Sequence, residues 1–567
     1  MDLSKLTTKQ FNQMVAENGR KTRAEFLKMS KDPMHINEAL LLQILQDSKD
    51  TEYGKKYDFA TIDSIQEYQK RVPVTEYADY ATYMQRTVYK NENNLLTSYP
   101  FELFCQSSGT MGIPKILPMS QNSIDVHKTW NTPIYYGVVD EGLDDNGAWQ
   151  EGRALVCMSC GLTSMKYGKK FGALSSIMME AMRPFLSVMT STPEESMFPN
   201  GLVDTRYLQA RFALMDKGIS VIQSTFLCYA VETIRYIQDN WKMLVKDIET
   251  GTIDASISLP EDTVDSLMKK ITPMPERANE LRKVFEESLD GPFLTKIWPS
   301  LRIVSGGGTG AFEMYAELLR ERYIDDNVKL YYSGLNSTEA LFSIPLELEC
   351  KDSAIVPCSI FYEFLPIDAG NDFSKIVTLD NVEVGKDYEI ILTNMSGLYR
   401  YRMRDCIRVM GFLDKLPLIR FQYRIEQTLD IMGDHTTEAS LTLFARQTAK
   451  ELGFELLDYA VYPDRNAEVP KYVYFMEIDK LPQGVTRADI QKSLWTKLKD
   501  GVYFLTSKFE EGRCTVDIHI LQRETFWLYR DLQIMRGAAP SQVKPLRIVT
   551  NESQFKFLSQ LVEAELE

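Results

Sequence analysis

Apolar residues recur at three- and four-residue intervals through most of the first hundred positions, the period of helices that bury one face. Glu38-Ala-Leu-Leu-Leu-Gln-Ile-Leu45 predicts one such helix with Asn37 as its N-cap, and Val72-Pro73-Val74 breaks the pattern. Extended runs follow: Tyr99 to Cys105 and Ile116 to Ser120 read as strands on either side of a loop, and Asn122 to Tyr136 reads as helix. Ala154 to Cys160 is strand-like and leads into a Gly/Ser/Lys loop, Gly161 to Ser176. Residues 205–250 read mostly as helix, with Trp241, Leu244 and Ile248 spaced for a core face. Leu301 to Val304 is a short strand ending at Ser305-Gly306-Gly307-Gly308-Thr309-Gly310, followed by the helical Ala311 to Tyr323 and a further strand, Val328 to Tyr332. A strand, a glycine turn and a helix make the crevice in which a parallel sheet holds a nucleotide. A β-rich block from Ala354 to Phe412 contains the strand Glu389 to Thr393 and a hairpin turn at Ser396-Gly397. From about Phe421 short helices and strands alternate, as in Lys471 to Glu477 and Val516 to Ile520, which predicts a separate α+β domain. The expected fold class is α/β.

Length and composition narrow the function. A chain of 567 residues, 44% of them apolar, has material for more than one core. The net charge of −15 argues against a nucleic acid or an anionic membrane as main partner, while leaving room for a local basic cleft that holds a nucleotide. No apolar run approaches the roughly 20 residues that span a bilayer, and no early apolar leader is visible, so a cytoplasmic location is expected. Eight scattered cysteines fit reduced thiols; Cys157-Met-Ser-Cys160 lies in a strand-like run with no second pair at zinc spacing and reads as core. The histidines at 35, 127, 435 and 519 show neither ligand spacing nor a triad context, so none is assigned to catalysis.

The candidate chemistry centres on Ser107-Ser108-Gly109-Thr110-Met111-Gly112-Ile113-Pro114-Lys115. Hydroxyls and glycines let such a loop fold around an anion with backbone N–H groups converging on phosphate oxygens, and Lys115 adds a cation. The glycine spacing and the absence of a hydroxyl after the lysine separate it from the Walker loop. Further on, Glu339 by itself reads as a helix-start carboxylate, and Asp405 as a structural partner of Arg402 or Arg408.

Three stretches in this order, Ser107 to Lys115, Asn336-Ser337-Thr338-Glu339, and Gly397-Leu-Tyr-Arg-Tyr-Arg-Met-Arg-Asp405, resemble the acyl acid amido synthetases of the Gretchen Hagen auxin-responsive family, within the adenylate-forming superfamily. The third matches the family's GLYRYRxGD with Arg404 in place of the glycine. Weaker likeness runs through Tyr77 to Tyr80, Trp241 with Asp247, Ile297 to Leu301, and Ser541 to Arg547. The first loop is one residue shorter than in plant members, nearer the wider superfamily's spacing, which points to a bacterial-type member.

The resemblance implies a large N-terminal adenylation domain with mixed sheets and flanking helices over residues 1–422, holding ATP and the acyl acid, and a smaller mobile α+β lid over residues 423–567. It implies that Ser107, Ser108, Gly109, Thr110 and Lys115 hold the ATP phosphates, that Gly306 and Gly307 form the adenine-side turn, and that Ser337 and Thr338 line the α-phosphate. Glu339 is the implied Mg²⁺ ligand and catalytic carboxylate, Asp405 the acceptor for ribose hydroxyls, Arg424 and Gly433 the start of the swinging domain, and Lys544 the catalytic lysine. Leu335 stands where an aromatic residue commonly stacks on adenine, with Tyr331 or Tyr332 as possible substitutes. The reaction implied is ATP-dependent activation of a carboxylic acid as an acyl adenylate, then transfer to an amine, an amino acid by family habit. The alternatives are transfer to coenzyme A, or a nucleotide-binding protein that has lost catalysis.

Overall fold

The computed structural model describes residues 6–106, 115–164, 168–201, 203–287, 289, 291–425, 428–432, 434, 436–502 and 505–563. Helices dominate the first hundred residues, including Thr8–Lys28, Pro33–Ser48, Ile65–Arg71 and Tyr77–Lys90. The second starts a turn earlier than its apolar pattern predicts, because Pro33 at its first position has a preset φ and no N–H to leave unpaired. Asn37 is therefore not a cap. It lies buried inside the helix, donating to the carbonyls of Pro357 (2.8 Å) and Ile360 (2.6 Å) and accepting from the Tyr362 N–H (3.1 Å).

Four sheets follow. β1 (Phe101–Gln106) pairs antiparallel with β2 (Ile116–Ser120), which puts the ends of the 107–115 loop at Gln106 opposite Ile116. β3 (Arg153–Cys157) belongs elsewhere, while β4 (Leu162–Ser164) and β5 (Lys170–Gly172) complete this first sheet in the order β2-β1-β5-β4. A parallel sheet, order β3-β6-β7-β8, is made by β3 with β6 (Ile219–Phe226), β7 (Ile303–Gly307) and β8 (Lys329–Tyr332). Residues 205–250 are mostly helix as expected, but β6 interrupts them. It separates helix Thr205–Met215 from helix Leu227–Thr250, and it is a strand because it lies between β3 and β7 with most of its residues buried. On the second helix Leu244 and Ile248 are fully buried and Trp241 stacks on Phe285 at 5.4 Å, as their spacing predicts.

The third sheet is antiparallel, in the order β11-β12-β13-β14-β10-β9. It comprises β9 (Ser343–Ile344), β10 (Ser353–Ile355), β11 (Phe361–Pro366), β12 (Asp387–Thr393), β13 (Tyr401–Leu413) and β14 (Leu416–Arg424). The fourth joins β15 (Leu456–Asp464) antiparallel to β16 (Lys471–Ile478), with β17 (Thr515–Leu521) parallel to β16. The α/β class is thus what the chain adopts, a large N-terminal part followed by a smaller α+β part. One apolar core spans the antiparallel sheet and the N-terminal helices, and a second runs from the parallel sheet into the fourth sheet. Polar ties cross the same boundary: the Tyr315 phenol donates to Asp458 (3.0 Å), and Arg547, buried beside both, donates to the Tyr315 oxygen (2.8 Å) and pairs with Asp458.

Candidate functional site

The antiparallel sheet supplies the first pair of groups. Asp405 on β13 lies directly opposite Arg424 on β14, and the guanidinium grips its carboxylate through Nε (2.7 Å) and Nη2 (3.2 Å). Neither Arg402 nor Arg408 is its partner. Arg402 is bound bidentate to Glu389 and Arg408 to Asp387, both one strand away on β12. Arg400 is tied to Glu363 and to the carbonyls of Gln69 and Val72. The first two arginines of the Tyr-Arg-Tyr-Arg run are therefore structural ties, buried with their carboxylates. Asp405, also buried, raises the pKa of Arg424, which keeps that guanidinium cationic. A carboxylate with two oxygens offers about four lone-pair directions, so Asp405 can hold Arg424 and still accept a sugar hydroxyl.

Arg404 occupies the left-handed region at φ +62°, the conformation a glycine would supply. It sits where the β12–β13 register slips between Glu389 and Ile391, in a bulge that turns Asp405 toward Arg424. Its side chain pairs with Glu76. The backbone turn survives the missing glycine, with the strain carried by the surrounding sheet.

Glu339 lies in a tight reversal between β8 and β9, where Asn336 bridges Leu341 and the Ser337 N–H donates to the Ala340 carbonyl (3.0 Å). The Ser337 hydroxyl donates to Glu339 Oε2 (2.6 Å) and accepts from the Glu339 N–H (3.0 Å), so the motif orients its own carboxylate. It is a hairpin turn, which removes the helix-start reading of Glu339. Thr338 is half-buried in the same turn. Leu335 packs against the apolar core; Tyr331 is buried with its phenol on the Pro345 carbonyl (3.3 Å), while Tyr332 lies against the glycine turn. Tyr332 is the aromatic neighbour of that turn, and Tyr331 is core.

Gly306 and Gly307 end β7 at the carboxyl edge of the parallel sheet. A Cβ on Gly306 would come within 2.7 Å of the Ser224 hydroxyl, and one on Gly307 within 2.9 Å of the Phe226 ring. Packing against the β6–helix junction accounts for these two glycines. Gly310 meets the Phe421 ring of β14, which sets the glycine turn beside the strand that ends at Arg424.

Of the first loop, Ser107, Ser108, Gly109 and Thr110 lie outside the described residues, as does Gly433. Lys115 is described: its ammonium donates to the Tyr401 phenol (3.2 Å) and lies over the rings of Tyr77 (5.5 Å) and Tyr401 (5.8 Å). Tyr401 in turn lies within electrostatic range of Glu339 and Arg424. This links the end of the first loop to the other two motifs.

Lys544 arrives from the far end of the chain. Its side chain is exposed to solvent, while the protein packed around it lowers its pKa; Arg424 adds to the lowering, and Asp405, Glu438 and Glu339 oppose it. The tertiary structure thus brings Glu339, Asp405, Arg424 and Lys544 together, with Lys115 joined through Tyr401. Glu438 is a member that sequence reasoning missed. It opens helix Glu438–Leu452 behind the Thr437 cap, and burial raises its pKa against the pull of Arg547, Lys544 and Arg424. Its only signal in the sequence is an acidic residue in a first helical turn, which is common on any helix. Tyr401 was also missed, although it sits inside the third motif.

Comparison with known proteins places the chain in a family. Residues 22–329 match the GH3 family N-terminal domain, residues 353–424 its central domain and residues 440–553 its C-terminal domain. Similar proteins include the putative indole-3-acetic acid-amido synthetase GH3.9 of Arabidopsis thaliana, 27% identical over 94% of this chain and 95% of that one. Another is the jasmonoyl-L-amino acid synthetase JAR6 of Nicotiana attenuata, 26% identical over 94% of each chain. These are plant proteins and lend no support to a bacterial-type assignment. Among solved structures, the GH3.15 acyl acid amido synthetase superposes with a TM-score of 0.84 at 22% identity, covering 96% of both chains. A 2-hydroxyisobutyryl-CoA ligase in the postadenylation state shares the fold more distantly, with a TM-score of 0.54 at 13% identity over 93% of this chain and 90% of that one. With its three domain models matched in order, this chain belongs to the GH3 family.

Proposed function

We propose that this protein is an ATP-dependent acyl acid amido synthetase. It activates a carboxylic acid as an acyl adenylate, releasing pyrophosphate, and then passes the acyl group to the amine of an amino acid. The observation that carries the reading is the convergence of Lys544 on Glu339, Asp405 and Arg424, four residues from three distant segments whose types suit a nucleotide triphosphate. The acyl-amide chemistry follows the relatives, which are named as synthetases of indole-3-acetic acid and jasmonic acid conjugates.

In this reading Asp405 accepts from the ribose hydroxyls while the bidentate Arg424 guanidinium holds its carboxylate in place. Lys544 offsets the charge that develops around the α-phosphate as the substrate carboxylate attacks, a preorganised cation placed where charge grows. Lys115 and the 107–110 loop receive the departing pyrophosphate, and Ser337 and Thr338 border the α-phosphate. Glu339 fits a magnesium ion, which commonly takes one or two protein carboxylates and completes its shell with phosphates and water; bound there, it would neutralise phosphate charge. Residues 1–422 form the adenylation part and residues 423–567 the lid that carries Lys544 to it. Because Arg404 keeps the left-handed turn, it gives no ground for a protein that has lost catalysis.

Pyrophosphate exchange into ATP, screened over a panel of carboxylic acids, tests the reading: at least one acid supports exchange, and its adenylate yields an amide with an amino acid rather than a thioester with coenzyme A. Exchange with no acid, together with no rise in thermal midpoint at millimolar ATP and magnesium, would overturn it, since a ligand selective for the folded state must stabilise it.

A further inference from the structure

Lys115 closes the 107–115 loop, and the chain around it holds its ammonium in one place. The residues just before helix Tyr77–Lys90 run alongside the start of β13. The Thr75 N–H donates to the Arg400 carbonyl (2.9 Å), the Arg402 N–H donates to the Thr75 carbonyl (3.0 Å), and Thr75 bridges Tyr401 in parallel register. That pairing brings two tyrosines from distant segments to the same lysine. The Lys115 ammonium lies 5.5 Å from the centroid of the Tyr77 ring and 5.8 Å from that of Tyr401, and it donates to the Tyr401 phenol oxygen (3.2 Å).

Each ring is fixed by contacts of its own. The Tyr77 phenol accepts from the Ile116 N–H (3.1 Å) and donates to the Ile116 carbonyl (3.2 Å), which pins the first residue of β2, next to Lys115. Tyr401 is buried and meets the Tyr80 ring in a T-shaped contact at 6.2 Å; Tyr80, also buried, donates to the Tyr399 carbonyl (2.9 Å). Burial holds the Tyr401 phenol above its usual pKa, Glu339 adds to the rise and Arg424 opposes it, so the phenol stays neutral and accepts from the ammonium without cancelling its charge. Two ring faces attract the cation in the same way, through their quadrupoles. An ammonium carries three donors, so a bond to Tyr401 is compatible with donation to a phosphate, and Lys115 is only half-buried. A lysine has more rotamer freedom to lose than most side chains, and ordering it in advance spares that cost when a ligand arrives.

We propose that Tyr77 and Tyr401 are positioning residues, a clamp that preorganises Lys115 for the β- and γ-phosphates of ATP and acts through the lysine alone. The proposal rests on the nucleotide-binding reading above, in which Lys115 receives the departing pyrophosphate. Calorimetric titration of the intact protein with ATP and magnesium, and separately with AMP, which lacks those two phosphates, tests it. Tyr401→Phe keeps the ring and removes the acceptor: ATP affinity is expected to fall about fivefold, the scale of one hydrogen bond, with AMP affinity unchanged. In a Lys115→Met background the same substitution has less than about a twofold effect, because the group it positions is gone. Tyr77→Leu, at a half-buried position, weakens ATP selectively as well and carries the test if Tyr401→Phe does not fold. Unchanged or tighter ATP binding, equal losses for ATP and AMP, or a loss that persists in full in the Lys115→Met background would overturn the clamp. ATP binding by the wild type without acid-dependent pyrophosphate exchange counts against the amide-forming reading alone, whereas no ATP binding at all overturns both.

Discussion

The Tyr229 phenol donates to the carbonyl of Val543, the residue before Lys544, at 2.5 Å. The same phenol lies 3.3 Å from the Pro540 carbonyl, the Arg530 guanidinium covers its ring at 4.5 Å, and the Ser175 and Ser541 hydroxyls meet at 2.9 Å. A helix of the large part thereby grips the segment that presents Lys544. Removing one such bond costs about 1 kcal/mol, or roughly a fivefold effect if it is felt in the transition state. Tyr229→Phe keeps the ring in place, so pyrophosphate exchange is expected to fall by about that factor with the thermal midpoint little changed. An unchanged exchange rate would show that the segment is positioned by other contacts.

Lys544→Ala is expected to slow adenylate formation by about 100-fold, the scale of losing one preorganised electrostatic group. Amide formation from a separately supplied acyl adenylate suffers much less, because the α-phosphate charge has already been handled. Single-turnover rates of the two half-reactions give the comparison. Equal loss in both would point to failed closure of residues 423–567 instead.

Asp405→Ala leaves Arg424 without its counter-ion and removes the proposed sugar acceptor. A charged hydrogen bond is worth about 1.5–3 kcal/mol, so nucleotide affinity is expected to fall by about ten- to a hundredfold in calorimetric titration. Intact ATP affinity in a folded variant would leave the Asp405–Arg424 pair a purely structural one.

Arg404→Gly exchanges a strained side chain for the residue that the left-handed turn favours. Relief of about 1 kcal/mol outweighs an exposed Arg404–Glu76 pair that is worth less. Urea denaturation is expected to show a slightly more stable protein; a destabilised one would mean that the ion pair dominates the turn.

Glu232 makes stability depend on pH in a stated direction. Its carboxyl is raised from 4.5 to about 7, so the folded state binds the proton more tightly than the unfolded state across that window. The stability contributed by this group therefore falls as pH rises from 4.5 to about 7 and stays lowered above it, by about 3 kcal/mol at most. Glu232→Gln, which carries no charge to bury, is expected to raise the thermal midpoint over wild type at pH 8 and much less at pH 5. The same gain at both pH values would refute a titrating Glu232.

Much of this protein was legible along the chain. The helical period of the first hundred residues, the extended runs flanking the 107–115 loop, the strands at β7, β8, β16 and β17, and the late change to α+β structure all follow from local patterning, because amphipathic period and turn residues act over a few positions. The candidate residues Glu339, Asp405 and Lys544 were readable only as members of recognisable motifs. Tertiary structure decided the rest. It made Asn37 a buried bridge rather than a cap, cut β6 out of a helical-looking stretch by placing it between two strands, and chose Arg424 over Arg402 and Arg408 as the partner of Asp405 through strand register. It also placed Glu438, Tyr229 and Glu232 around Lys544. Groups separated by hundreds of residues meet only when sheets and helices pack, and the energy of a charge depends on the burial and partners found there, which no local pattern encodes.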